Sequence, residues 1–436
     1  MPAKGKKGGK KKKKNEALTK KILSTIISYW RRYESHCNKT NTCPAPSLKA
    51  IMNKCKEDES YMTKFILEPK PVQTIEDPIV QLEPVMNALR EERYTNIKAL
   101  YVWSLTLRYI DAVAVGQVLD KMIYPIKHLE FIDNLMTSEQ VGRISQSFEN
   151  NLFLSTLVFD YNEFRDEGCK KLCDGLALSK TIISVSLCFC DLTSISGKYL
   201  ARASAHSSVR ELYLDGNLLQ CHGVQDLIEP FVVQAKKEAF NREEEERKKK
   251  ELEQEEIKKA EEERRRRLDD LNYVPPQPVA DTVPVEEKEK KKKKKKKKSK
   301  QPPPPPLVGP WIHKLHIADN GIDGLEGQDK MAPVECMQQL RELVLLKTTI
   351  LAADLYLFFR LISTSKCLEE IDLHDNLIGD LAGREICFGL EIRKEEKLPN
   401  MKLRTTHRLT ADTFTLIKKL GAGLQKKKKK KRKSKK

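Results

Sequence analysis

The sequence predicts an α/β solenoid of about nine strand–helix repeats. A helical N-terminal cap precedes them, a long charged helix is inserted among them, and disordered lysine-rich tails flank them. Three observations lead there. One apolar frame returns at steps of 27–30 residues from Ile97 to Leu398, with a single gap. Within that gap, 103 residues from the fifth copy to the sixth, charged runs and prolines take over. The excess positive charge sits in low-complexity blocks outside the frame.

The charge is the quickest to account for. The 436 residues carry 81 Lys+Arg against 62 Asp+Glu, a net +19. Residues 1–21, 286–300 and 425–436 hold +9, +8 and +10, leaving the remaining chain at about −8. The part able to fold is therefore mildly acidic, and the basicity belongs to tethers. Blocks of like charge repel themselves, so these segments are expected to be disordered. They suit acidic polymers, either tubulin tails or nucleic acid, through contacts that weaken steeply with salt. No apolar run approaches the ~18 residues that a spanning helix needs, so no membrane insertion is expected. The basic start lacks an apolar segment behind it and does not read as a secretory signal. Eleven scattered cysteines without a CxxC pair read as reduced thiols, with no metal or other cofactor expected.

Residues 22–96 are expected to be the helical cap. Leu18, Ile22, Ile26, Trp30 and Tyr33 make one stripe at helical spacing. Ser47 is placed to cap a second helix, and Asp77-Pro78 to open a third with Leu82, Met86 and Leu89 on one side.

The repeats follow, over 97–235 and 312–424. Val209-Arg-Glu-Leu212-Tyr-Leu214-Asp-Gly-Asn217-Leu-Leu219 shows the frame in full, LxxLxLxxNxL. It recurs from Ile126, Leu154, Ile182, Ile312 and Leu368, and more weakly from Ile97, Leu340 and Leu398. Leucines three and five places into the frame alternate as a strand does and face one way. The residue at the eighth place ends the strand: Asn134, Asn162, Asn217, Asn320 and Asn376, with Cys190 substituting once. A carboxamide there can both donate to and accept from neighbouring turns, building a structural ladder. After the turn, as in Gly168–Leu176, apolar residues recur at helical spacing. One strand and one helix cannot bury their own apolar side, so the copies must stack.

The insertion spans 236–311. Gln234 to Leu271 is almost entirely charged, and from Glu243 to Arg267 eight Glu residues precede Lys or Arg by four places, beginning with Glu243–Arg247 and ending with Glu263–Arg267. At ~0.2–0.5 kcal/mol each, such pairs support a solvated helix, one that would reach ~50 Å. A sustained coiled-coil stripe is missing, since Leu252 and Ile257 stand nearly alone. Lys290–Lys298 and Pro302–Pro306 then read as a linker.

This frame resembles the ribonuclease-inhibitor type of leucine-rich repeat, whose repeats of similar length carry a full helix. The resemblance implies a curved solenoid with a parallel sheet lining its concave face, and says little about function. On that face the residues two, four and six places into the frame point outward. An apolar and aromatic end, Tyr101, Trp103, Ile132 and Val158, then lies beside acidic Asp160, Glu211 and Asp215, with Tyr213, His316, Val344, Leu346 and Asp372 further along. Such a patch resembles a protein-binding surface with an aromatic anchor. Tyr101 and Trp103 are equally open to being covered by the cap. His316, Asp372 and His374 would lie two repeats apart, roughly 10 Å, too far to share a metal.

No nucleotide loop, metalloprotease or nucleophile-elbow signature occurs, so no catalytic residues are expected. The expected function is a non-catalytic protein-interaction scaffold. The lysine-rich opening, the repeats and the long charged helix together resemble leucine-rich-repeat proteins of the ciliary axoneme, which implies a cytoskeletal location in a motile cilium or flagellum. A nuclear or nucleolar RNA-associated protein using the same lysines is the alternative, and GTPase regulators also use this repeat type.

Overall fold

A computed structural model describes residues 7–71, 77–271, 307–322, 353–376, 378–406 and 408–421. The chain divides into two units, Met1–Lys236 with Pro306–Lys436, and Lys237–Pro305.

Among the described residues of the first unit, nine parallel strands lie side by side in chain order. They are β1 (Lys64–Leu67), β2 (Ala99–Trp103), β3 (His128–Ile132), β4 (Thr156–Val158), β5 (Ser184–Ser186), β6 (Glu211–Tyr213), β7 (Lys314–His316), β8 (Glu370–Asp372) and β9 (Lys402–Arg404). A helix follows each strand from β1 to β9: α3 (Glu83–Glu92), α4 (Tyr109–Leu119), α5 (Ser138–Ser145), α6 (Arg165–Leu178), α7 (Ile195–His206), α8 (Gln220–Leu271), α9 (Ala353–Thr364), α10 (Asp380–Glu395) and α11 (Ala411–Gly421). Two further helices, α1 (Lys7–Thr40) and α2 (Pro46–Glu57), precede the sheet.

Register explains why the units stack. Phe65, Leu100, Leu129, Leu157, Val185, Leu212, Leu315, Ile371 and Leu403 occupy one paired row across all nine strands. Leu212, Leu214, Ile371 and Leu373 share a single continuous core. The result is a repetitive α/β solenoid in which each strand hides its leucines only against its neighbours.

The turn after each strand is also repetitive. Seven places into the frame the backbone is left-handed at Ser104, Asp133, Tyr161, Phe189, Gly216, Asp319 and Asp375, with φ between 50° and 70°. Helix starts are tied down locally: the Thr137 N–H donates to Gln140 Oε1 at 2.7 Å, and Gln140 Nε2 reaches back to the Leu107 carbonyl at 2.7 Å.

Several expectations need correction. The first strand, β1, falls inside the segment expected to be helical. Met62, Phe65 and Leu67 repeat the apolar frame there, all fully buried, but Lys70 stands where an asparagine would mark it. The repeat expected from Leu340 lies mostly outside the described residues, as do Val344 and Leu346. Among the described residues β7 pairs directly with β8, Leu315 beside Ile371.

In α1 Ile22, Ile26, Trp30 and Tyr33 are buried as a stripe, but Leu18 is exposed, and Tyr29 and Cys37 are additional buried members. Tyr29 packs on Phe65 and Tyr94, with ring centroids 5.4 and 5.2 Å away, and so joins α1 to β1. The helix begins at Lys7, so lysines from there to residue 21 lie in helical backbone rather than in a disordered tail. Residues 1–6 and the tail at 425–436 lie outside the described residues. Ser47 caps nothing: Ala45 is the N-cap of α2, Pro46 its first residue, and the Ser47 hydroxyl donates to the Ile66 carbonyl. The third helix starts at Glu83 rather than at Asp77-Pro78, with Pro84 in its first turn, though Leu82, Met86 and Leu89 are buried as expected.

The insertion is shorter than 236–311. Residues 307–311 already belong to the first unit, where the Gly309 N–H donates to the Ser207 carbonyl at 2.9 Å and the Arg210 guanidinium reaches the Gly309 and Leu307 carbonyls. In the second unit the described residues are helical to Leu271. Of the expected pairs, Glu244–Lys248 and Glu255–Lys259 close at 2.7 and 3.9 Å. Arg247 and Lys249 instead turn toward Glu251 and Glu253. The poly-lysine and poly-proline segments lie outside the described residues.

Candidate functional site

The helices cover one side of the sheet, against the buried leucine row. Side chains at even places in the frame stand on the other side, most of them half-buried by their own neighbours.

At the N-terminal end, the Tyr101 ring lies 5.9 Å from Trp103 and 4.8 Å from His128. Beneath them Glu130 accepts from Trp103 Nε1 and pairs with His128 Nε2, both at 2.8 Å. Burial opposes ionisation of Glu130, but these two hydrogen bonds outweigh it and hold the carboxyl below its usual value. Ile132 and Val158 stand in register with Trp103 and Glu130. Tyr101 and Trp103 are half-buried, so they are neither sealed under the N-terminal helices nor fully displayed.

In the middle of the face, Asp160 and Asp215 flank Cys188. Asp160 Oδ1 accepts the Ser186 hydroxyl at 2.7 Å and the Cys188 N–H at 2.9 Å, while Asp215 Oδ1 accepts the Ala318 N–H at 2.8 Å. Burial lifts both carboxyls above the ordinary aspartate value, with these hydrogen bonds pulling the other way. Burial, with the charge of Asp160, pushes the Cys188 thiol up to about 12, which keeps it protonated and unreactive.

Farther along, Glu211 pairs with Lys314 at 2.7 Å and the Tyr213 ring lies 4.6 Å from His316. His316 Nδ1 is 3.9 Å from Asp215 Oδ2, and its buried Nε2 has no hydrogen-bond partner. Asp372 is buried, and its oxygens already accept from Arg404 at 3.1 Å and the His374 N–H at 3.0 Å. It is a poor contact residue. His316 and Asp372 were expected two repeats apart, yet they are register partners on adjacent strands. Among the described residues no cluster of three or more His, Cys, Asp or Glu side chains is arranged to hold a metal. His36, which the sequence sets beside three cysteines, pairs with Glu91 at 2.8 Å.

The ladder residues run along the buried end of the strands. Asn162 Oδ1 accepts the N–H groups of Asn134 and Met136 at 2.9 and 3.2 Å, and Asn162 Nδ2 donates to Phe131 and Phe159 carbonyls. Asn217 does the same for Cys190 and Leu192. Asn376 serves Asn320 and Ile322, and Asn320 Nδ2 donates to the Leu214 carbonyl at 2.9 Å. Cys190 donates its thiol to the Phe159 carbonyl at 3.2 Å.

Two recurrent contacts escaped the sequence reading. Asp166 accepts from the Thr193 N–H, the Thr193 hydroxyl and the Ser196 hydroxyl; Asp380 accepts from the Thr410 N–H and hydroxyl. Each ties the turn that opens the following repeat's helix to the preceding repeat. The signal was an aspartate twelve places into two frames, each followed a repeat later by threonine.

As chemistry, the face offers aromatic surface at one end and carboxylate acceptors along its length, which suits a partner presenting apolar anchors and donors. No helix among the described residues is long and apolar enough to cross a membrane. No family model matches the chain, and no curated protein matches it with significant similarity.

Proposed function

We propose that the chain is a leucine-rich-repeat protein of the ribonuclease-inhibitor type that works as a non-catalytic scaffold, binding another protein on the open face of its sheet. The N-terminal helices close the first repeats as a cap, and the lysine tracts tether the scaffold electrostatically to acidic polymers. A motile cilium, where tubulin tails supply that counter-charge, is the setting this reading assigns.

The observation that carries the reading is the open face itself. Tyr101, Trp103, Ile132 and Val158 cluster beside carboxylates, and burial makes ionisation of Asp160 and Asp215 costlier there than in water. A partner that supplies donors to those oxygens relieves that cost.

The test is a tagged full-length chain in cells with motile cilia. The chain should enter the axoneme and co-purify with protein partners. Tyr101→Ser with Trp103→Ser should weaken that association by ~30-fold or more, as expected for an aromatic anchor, with the folded core retained. Deleting the lysine tracts should reduce retention in the axoneme without removing the partner. Nucleolar accumulation with RNA crosslinks that survive ~0.5 M salt would overturn the assignment.

A further inference from the structure

The turn position seven places into each frame is left-handed in repeat after repeat, and aspartate and glycine, its commonest occupants, take it at little cost. Tyr161 and Phe189 do not fit that pattern. A bulky side chain at positive φ crowds its own backbone, and these two rings gain only partial burial in return: they are 53% and 40% exposed. They lie on adjacent repeats and stack face to face, centroids 4.7 Å apart and planes 8° from parallel. Phe189 extends over Gly216, the next residue in the row, where any Cβ would collide with the ring. The third position is thus kept clear for a ring that stays partly in solvent.

The surroundings define the partner. Asp133 precedes the aromatic pair in the same row and Asp319 follows Gly216, while exposed Glu163 lies two residues after Tyr161. Arg165, a cation close by, is already paired with Asp191 at 2.9 Å. An exposed aromatic stack between carboxylates suits a planar cation, which lies flat on a ring while its neighbours reach the acids.

We propose that Tyr161 and Phe189 form a docking ridge for an arginine-bearing basic protein segment, distinct from the open face of the sheet and independent of the function assigned to that face. A guanidinium stacks on the rings, and flanking basic residues pair with Asp133 and Asp319.

The test is a fluorescence-anisotropy titration of the full-length chain, at physiological salt, with a labelled peptide of alternating arginine and serine and with its arginine-to-glutamine counterpart. The arginine peptide should bind and the glutamine one should not. Tyr161→Asn with Phe189→Asn should weaken binding about tenfold. Asparagine is at home in left-handed backbone, so the thermal midpoint of that variant should hold or rise. Glu391→Gln with Glu395→Gln, which removes two acids on α10, should change affinity less than twofold. No binding to the unmodified chain, an unchanged affinity in the asparagine variant, or an equal loss in the α10 variant would overturn the proposal. So would a fall of several degrees in the asparagine variant's midpoint, because the rings would then be serving the fold.

Discussion

Asp215 Oδ1 accepts the Ala318 N–H at 2.8 Å although 103 residues separate them in sequence. Asp160 makes the same contact to Cys188, 28 residues on, at 2.9 Å. In both cases a carboxylate at the sixth place of one repeat takes a backbone donor at the sixth place of the next, just beyond the last paired residue of the strand. The sheet therefore continues from β6 to β7 by the same device it uses from β4 to β5, whatever length of chain intervenes.

These carboxylates give a pH prediction. Burial holds the folded Asp160 carboxyl above its unfolded value, so its ionisation at neutral pH costs stability, and that cost disappears as pH falls through the folded value. Asp160→Asn keeps an acceptor for Ser186 and Cys188 and removes the charge. It should be at least as stable as the unmodified chain in urea at pH 7, with the advantage fading toward the unfolded value of ~3.9. Asp380 has the opposite sign. The hydroxyls of Thr413 and Thr410 hold it at about 2, so its contribution is present above the unfolded value and is lost as pH falls toward the folded one. Asp380→Asn should lower stability at pH 7, and a gain there would contradict the role of its contacts to Thr410.

The ladder can be tested in both directions. Asn217→Leu strands the N–H groups of Cys190 and Leu192 and the Leu187 carbonyl. At ~1–3 kcal/mol for each buried group left unpaired, the loss should exceed ~3 kcal/mol by chemical denaturation. Cys190→Asn should instead stabilise by ~1 kcal/mol, because the thiol donates to Phe159 but offers Asn162 no carboxamide acceptor. A destabilised asparagine variant would mean that the turn has adapted to sulfur.

Adjacent helices touch through glycines. A Cβ on Gly197 of α7 would run into the Gly223 carbonyl of α8, which is backbone and cannot move aside. Gly197→Ala should cost ~1–3 kcal/mol by overpacking, despite alanine's better helix propensity. Urea melts that coincide with those of the unmodified chain would show that the two helices can separate freely.

The direct pairing of β7 with β8 predicts a tolerated deletion. Residues 323–350 amount to 28 residues, one period of the frame. Removing them brings Ile322 next to Leu351, with α9 still in step. Soluble protein with an unchanged far-ultraviolet spectrum per repeat is expected. Aggregation would mean that those residues stabilise the junction.

Much of the fold was legible because its causes are local. Alternating apolar residues, a polar residue at the strand end and helical spacing after it repeat within each copy, so each copy announces itself. Leu18 and Ser47 misled because their neighbours decide their roles: Tyr29 points to the core instead, and Pro46 already starts α2. The open face was legible as a list of positions but not as a set of contacts. Asp372 belongs to that list, yet Arg404 on the next strand occupies it.

The amino-acid sequence alone determined which residues face inward and how far apart the strands recur, since a period is written along the chain and needs no distant partner. Only the tertiary structure decided which copies become neighbours: that Met62–Leu67 opens the sheet, that Leu315 lies beside Ile371, and that two turn aromatics stack in the open. Adjacency between stacked repeats is a matter of backbone hydrogen bonds, which every sequence can make. The choice among possible partners is therefore settled by the assembled core rather than by any single segment.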